Sequence, residues 1–248
     1  MHLYPLIGIP QIQAGDDLSA FIHQGLVESG LDLRDGDVLV VAQKIISKAE
    51  DRMVPLNSVK PSPRAQDLAA QVHKDPRLVE LILQESQTVL RTRPGVIIVE
   101  HRLGYVHANA GIDQSNIEGD DHALLLPLDP DDSARRLSAA LGARTGHQPP
   151  VIINDSAGRA WRNGIIGFAI GLCGFEPVVS LVGSKDLNGR VMRVTEIAVA
   201  DELAAAASHV MGQGAEGFPV VLIRGAQIRR GDYGMRALLR DAAQDLFR

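Results

Sequence analysis

Two short stretches carry the oxygen-bearing side chains that nucleotide chemistry needs: Ala108-Asn109-Ala110-Gly111-Ile112-Asp113-Gln114-Ser115-Asn116 and Ile153-Asn154-Asp155-Ser156-Ala157-Gly158-Arg159-Ala160-Trp161-Arg162. Each follows an apolar, β-like run. A small hard cation such as Mg²⁺ or Mn²⁺ takes a few carboxylates and completes its shell with water and substrate phosphate. Asp113 and Asp155 are suitable carboxylates, and Ser156 adds a neutral oxygen. The competing reading is that both aspartates cap turns or helices, as Asp commonly does, and spacing alone does not choose between the two.

Phosphate also needs cations, and Lys44, Lys48, Arg159 and Arg162 are the candidates to neutralise charge on a phosphoryl group in transfer. The plainer reading of the two lysines is a solvated strand end. The chain has no Gly-Lys dipeptide and so no P-loop. Gly212-Gln213-Gly214-Ala215-Glu216-Gly217 fits G-x-G-x-x-G, but it follows a helical pattern and precedes a strand, the reverse of the dinucleotide-binding context. A helix C-cap and tight turn is the better reading, with backbone N–H groups still able to touch a nucleotide. His101, His107 and His122 lack any H-E-x-x-H spacing and read as surface or loop histidines. The serines lack a G-x-S-x-G elbow. Cys173 is the single cysteine, which excludes an internal disulfide framework or a cysteine zinc site and suits a small buried apolar residue.

The elements that would position these groups are legible in outline. Leu18, Phe21, Ile22, Gly25, Leu26 and Val27 recur at helical spacing. After the Asp35-Gly36-Asp37 turn, residues 38–42 form a buried strand that delivers Gln43, Lys44, Ser47 and Lys48 at or beyond its end. Residues 62–91 read as two helices in series, broken at Lys74-Asp75-Pro76, where Asp75 caps and Pro76 opens the second. Residues 96–100 and 104–108 read as a hairpin feeding the 109–116 loop. A helix at 129–143 is followed by a strand at 151–153, after which a second oxygen-rich loop opens at Asn154. Residues 163–183 are apolar and Gly-rich, too interrupted to cross a bilayer, and read as a close-packed buried segment. A helix at 201–211 and a strand at 218–223 complete the pattern.

At 248 residues the length suits one large domain or two modest lobes. No repeat or linker divides it, so residues 1–248 read as a single unit. Thirty acids against 25 bases give a formal charge of −5, which removes any general attraction to nucleic acid. Aromatic residues make up only 4%, too few for a base-stacking surface. Met1-His2-Leu3-Tyr4-Pro5 is not a secretory leader, so the expected location is cytoplasmic, away from membranes.

Read together, Gly8-Ile9-Pro10, the stretch from Asp35-Gly36-Asp37 through Ala42-Gln43-Lys44-Ile45-Ile46-Ser47-Lys48-Ala49-Glu50, Lys74-Asp75-Pro76-Arg77, the two oxygen-rich stretches, and Asp201-Glu202-Leu203 resemble the coenzyme F-420 γ-glutamyl ligase family. The resemblance implies a GTP-dependent ligase adding L-glutamate to a deazaflavin precursor through an acyl phosphate. It implies an α+β, mixed-sheet, two-lobed fold forming an intertwined homodimer, with two Mg²⁺ or Mn²⁺ ions per active site and K⁺ assisting. On this resemblance Gly8, Ile9, Pro10, Gln11, Lys44, Lys48, Asn116, Met211, Gly212, Gln213, Gly214, Ala215, Glu216 and Gly217 would line the nucleotide. Asp113, Asp155, Ser156 and Gln213 would hold metal. Lys48, Arg159 and Arg162 would act on the transferred phosphoryl group. Many relatives carry Thr-Asp-Thr where this chain has Asn154-Asp155-Ser156. Some bacterial relatives continue into a nitroreductase-like domain, which residues 1–248 do not include. A ligase of the same fold using another carboxylate, and a non-catalytic nucleotide sensor, are the rival readings.

Overall fold

Val38–Ala42 is a run of purely apolar side chains with its first four residues fully buried, which a strand covered on both faces requires. In the computed structural model, which describes residues 1–114 and 121–246, it is strand β2 at the centre of a five-stranded sheet. The other strands are β1 (His2–Pro5), β8 (Val151–Arg159), β9 (Arg162–Cys173) and β12 (Val220–Arg224), in the order β1-β12-β2-β8-β9. The β2–β8 pair is parallel and the remaining pairs are antiparallel, while β10 (Val179–Ser180) and β11 (Glu196–Ile197) pair with each other apart from this sheet. The class is therefore α+β with a mixed sheet.

Strand alternation divides the apolar side chains between two layers. Leu39, Val41, Val151, Ile153, Val220 and Leu222 pack under helices α1 (Leu18–Glu28) and α5 (Pro130–Thr145). Val38, Val40, Ile152, Val221 and Ile223 pack under α6 (Val199–Met211), whose Ala200, Ala204 and Ala207 let the helix lie close to the sheet. Among the described residues no helix is long and apolar enough to cross a membrane.

A third core lies among α3 (Pro63–Val72), α4 (Pro76–Gln84), β4 (Ser86–Arg93), β5 (Val96–His101) and β6 (Val106–Ala108), beside the short pair β3 (Met53–Pro55) and β7 (His122–Leu124). Asp75 caps α4 by accepting from the Arg77 N–H, with Pro76 in the first turn, as the sequence predicts. The expected helix does not continue to residue 91. Helix α4 ends at Gln84, and residues 86–93 form β4, paired with β5 through the Gly95 turn. Thr88, Val89 and Thr92 favour that state, but the deciding partner is a neighbouring strand that local periodicity does not reveal.

Glu85, at the joint between α4 and β4, ties this core to the rest. It pairs with Arg52 at 3.2 Å and Arg102 at 2.9 Å, and these arginines donate onward to the carbonyls of Leu126 and Leu128. Burial, the largest single influence, pushes the Glu85 carboxyl up. The neighbouring His101 imidazole, whose Nε2 lies 3.5 Å from the carboxylate, and the two guanidinium groups outweigh it and bring the pKa down to about 2.

The Gly-rich stretch is only half buried. Its first part, residues 162–166, is exposed, and burial begins at Gly167 and runs through Cys173. A Cβ on Gly167 would stand 2.7 Å from the Ala204 carbonyl oxygen and 2.7 Å from Asn154 Oδ1, so the glycine sets how closely α6 approaches β9. Gly167→Ala is expected to cost about 1–3 kcal/mol through overpacking, read as a lower urea midpoint at unchanged slope. A wild-type midpoint would mean that α6 tolerates displacement from the sheet.

Candidate active site

Because β2 and β8 are parallel, their carboxyl ends lie side by side, with Ala42 opposite Asn154. Strand β12 runs the other way, so the 212–219 turn that leads into it reaches the same edge. Crevices in sheets of this kind form outside the carboxyl ends of parallel strands. Here a cavity of about 380 Å³ is lined by Gln43 and Lys44 at the start of α2 (Gln43–Ala49), by Asp113, by Asn154, Asp155 and Ser156, and by Met211, Gly212, Gln213, Gly214 and Gly217.

The oxygen-rich segment at 154–159 is not the expected loop. Strand β8 continues to Arg159 because β9 returns beside it, pairing Asp155 with Phe168 and Ser156 with Gly167. A strand fixes its side chains more tightly than a loop does. Asn154 points toward α6, with its Nδ2 3.8 Å from Met211 Sδ, while Asp155 meets β6.

Asp113 is held by a different device. Asn109, Ala110 and Gly111 are successive left-handed residues, with φ of 52°, 56° and 67°. Asn and Gly accept that region readily, whereas Ala110 carries strain of about 1–3 kcal/mol. The strain is sustained by full burial of Ala110 and by Asn109 Oδ1 accepting from the Ile97 N–H at 3.1 Å. The chain then locks to β7, Asp113 and Leu124 exchanging both backbone hydrogen bonds. The outcome is a fixed carboxylate whose Oδ2 lies 2.7 Å from Lys44 Nζ.

Other predicted residues lie outside the lining of this cavity. Gly8, Ile9, Pro10 and Gln11 follow β1, and Gly8 and Ile9 pack against Glu28 and Gly25 of α1. Lys48 sits one turn beyond Lys44 on α2. Arg159 and Arg162 face each other across the hairpin turn at the tip of β8 and β9. Ala215 and Glu216 belong to the 212–217 turn, where the Glu216 carboxylate accepts from the Gly214 N–H at 2.8 Å. Asn116 lies outside the described residues.

His101 and His107 are not surface histidines. Both are buried, His101 stacking on Tyr105 at 5.0 Å. His107 Nε2 stands 3.0 Å from Asp155 Oδ2 and its Nδ1 is 2.8 Å from the Ala108 carbonyl oxygen. Burial is the largest influence on this imidazole and pushes it down. The hydrogen bond and charge of Asp155, with the Ala108 carbonyl, more than offset it and leave the pKa above the usual histidine value. The available sequence signal was period two: His107 stands two residues after Tyr105 in the segment read as a strand at 104–108. Ser208, which accepts a hydrogen bond from Gln213 Nε2 at 3.0 Å, also lines the cavity and was not anticipated.

Among the described residues no three His, Cys, Asp or Glu side chains converge to hold a metal ion. The described residues therefore form no cage of such side chains alone in the cavity. Its donors, Asp113, Asp155, Ser156 and Gln213, are oxygens that suit a Mg²⁺-like or Mn²⁺-like ion completed by substrate phosphate and water. Asn154 fits the same purpose, since its buried Oδ1 has no hydrogen-bond partner and a donor from a ligand or a hydrated ion would satisfy it.

Residues 6–225 match the family model described as F420-0:Gamma-glutamyl ligase. The chain is similar to the Coenzyme F420:L-glutamate ligase of Methanothermobacter thermautotrophicus, 48% identical over 243 residues, covering 97% of this chain and 96% of that protein. It is 42% identical to the protein of that name from Archaeoglobus fulgidus over 248 residues, covering 100% and 96%. The Halobacterium salinarum protein of the same name is 39% identical over 254 residues, covering 100% and 92%.

Proposed function

The chain belongs to the F420-0:γ-glutamyl ligase family, and from that premise we propose that it joins L-glutamate by an amide bond to the deazaflavin precursor of coenzyme F420, with GTP as co-substrate. The observation that carries this reading is the convergence of Lys44, Asp113, Asp155, Ser156, Met211, Gly212, Gln213, Gly214 and Gly217 on one cavity. A carboxylate resists amine attack because its leaving group would be oxide. Transfer of the γ-phosphoryl group to a carboxylate oxygen converts that oxygen into part of a phosphate leaving group. The glutamate amine, having lost a proton, then attacks the acyl carbon, the C–O bond to phosphate breaks, and inorganic phosphate departs.

In this scheme Asp113, Asp155 and Ser156, with Gln213, would hold two Mg²⁺ or Mn²⁺ ions, and K⁺ would assist. When bound, the divalent ions supply charge neutralisation on the phosphoryl oxygens. Lys44 and Lys48 are four residues apart on α2 and so share a helix face, a spacing suited to adjacent phosphates. Arg159 and Arg162 would act from the hairpin tip. Gly8, Ile9, Pro10 and Gln11 would complete the nucleotide site with Asn116 and the 211–217 turn.

The test is product mass. The chain incubated with the deazaflavin precursor, glutamate, Mn²⁺ and GTP should yield the precursor extended by glutamyl units, with GDP and phosphate. Phosphate release only with a different carboxylate acceptor would favour a same-fold ligase of another substrate. GTP bound and unhydrolysed with every acceptor would favour a sensor.

The two-lobed, intertwined homodimer is part of the proposal. Strands β8 and β9 overshoot the neighbouring β2, and the arm they form exposes Trp161 (88%) and Ile165 (54%). Apolar groups on a projecting hairpin suit burial against a second copy. Sedimentation at micromolar concentration should show a dimer that Trp161→Asp weakens, and a fully active monomer would overturn this assembly.

A further inference from the structure

We propose that His107 is a positioning residue for Asp155, holding its carboxylate in the one orientation that leaves Oδ1 for a ligand in the cavity. The proposal rests on the metal-binding reading given above.

Asp155 lies beyond the last residue at which β8 pairs with β2, so that neighbour does not brace it. On its own backbone the carboxylate is free to rotate about its final torsion. His107 removes that freedom. Its Nε2–H donates to Asp155 Oδ2 at 3.0 Å, and its Nδ1 faces the Ala108 carbonyl oxygen at 2.8 Å. The imidazole cannot turn away, because it is 7% exposed, packs 5.6 Å from the Phe168 ring and 6.4 Å from Tyr105, and stands on β6 opposite Val99. Phe168 is itself the β9 residue paired with Asp155, so one packed unit fixes the histidine and the strand it holds. An outer hydrogen bond of this kind orients a ligating carboxylate, and its loss typically weakens metal binding about 10–100-fold.

The experiment is a Mn²⁺ titration of the metal-free chain followed by electron paramagnetic resonance, with and without GTP. His107→Phe keeps the ring packing and removes both nitrogens, whereas His107→Gln keeps one N–H donor. His107→Phe should weaken Mn²⁺ binding by about 10–100-fold, and His107→Gln should recover most of the loss. In turnover the Mn²⁺ requirement should rise more than kcat at saturating Mn²⁺ falls. If near-ultraviolet circular dichroism shows that His107→Phe is misfolded, His107→Met takes its place in the same comparison. Wild-type Mn²⁺ affinity without the donor, or equal impairment with and without it, would overturn the proposal. Asp155→Asn is titrated alongside. If it loses Mn²⁺ while the donor-free His107 variant does not, the positioning role fails and the metal site stands. If it binds like wild type, the metal reading fails and the positioning role with it.

Discussion

Asp155→Ala and Asp113→Ala are each expected to lower ligase turnover by about 10²–10³-fold, the scale of losing 3–4 kcal/mol of transition-state charge stabilisation. Among the described residues, each removes one of the two carboxylates lining the cavity, whose other described lining oxygens are neutral, so the remaining set cannot hold a divalent ion and a triphosphate together with the same strength. The fold should survive both changes. Asp113→Ala deletes an ion pair with Lys44 whose side chains are 29% and 23% exposed, worth at most about 1 kcal/mol. Asp155→Ala leaves the His107 Nε2–H without its acceptor, at a cost of about 1–3 kcal/mol, and Asp155→Asn retains an acceptor oxygen there. Calorimetry of GTP with Mn²⁺, run beside turnover, is the check. Unchanged metal-dependent binding and turnover in both variants would reject the assignment of this cavity as the catalytic centre.

Complete transfer of isotope from substrate to phosphate is the second large effect expected. If the precursor carboxylate is phosphorylated, one of its oxygens must leave with the phosphate when glutamate attacks. Precursor labelled with ¹⁸O in that carboxylate should therefore yield one labelled phosphate for each amide formed. Amide formation merely accompanied by GTP hydrolysis would instead take the phosphate oxygen from water. Lys48→Ala should slow label release in step with product if Lys48 steadies the γ-phosphoryl group. Its position one turn beyond Lys44 makes Lys44→Ala the natural companion. Unlabelled phosphate at full product yield would eliminate the acyl phosphate and the phosphoryl role of Lys48 with it.

The elements most legible in the chain were those whose signals are local. The Asp75-Pro76 start of α4, the buried strand Val38–Ala42 and the Ala-rich α6 each follow from a cap, an apolar run or helical periodicity. The G-x-G-x-x-G run was separable from a dinucleotide fingerprint by its order after a helix and before a strand, and it does sit between α6 and β12. The failures lay where a second strand decides. Residues 86–93 carry a helical pattern yet pair with β5, and residues 154–159 read as a polar loop yet extend β8, in both cases because the next strand along the chain folds back and supplies hydrogen bonds that the segment's own pattern does not show.

For the site the division is similar. Residue types alone marked Asp113, Asp155 and Ser156 as oxygen donors and Lys44 as a phosphate-compatible cation, because carboxylate, hydroxyl and ammonium chemistry belongs to the side chain wherever it lies. Tertiary structure decided that these four share a cavity, since Asp113 lies 69 positions beyond Lys44 and only the sheet order and the left-handed turn at 109–111 bring them within 2.7 Å. It also decided that His107 is buried against Asp155. A histidine in a strand carries no mark of its partner, and the partner is set by which strand crosses above it. Local backbone preference extends over a few residues, whereas side-chain environment is fixed by contacts across the whole fold, so the donors were written in the sequence and their geometry was settled by packing.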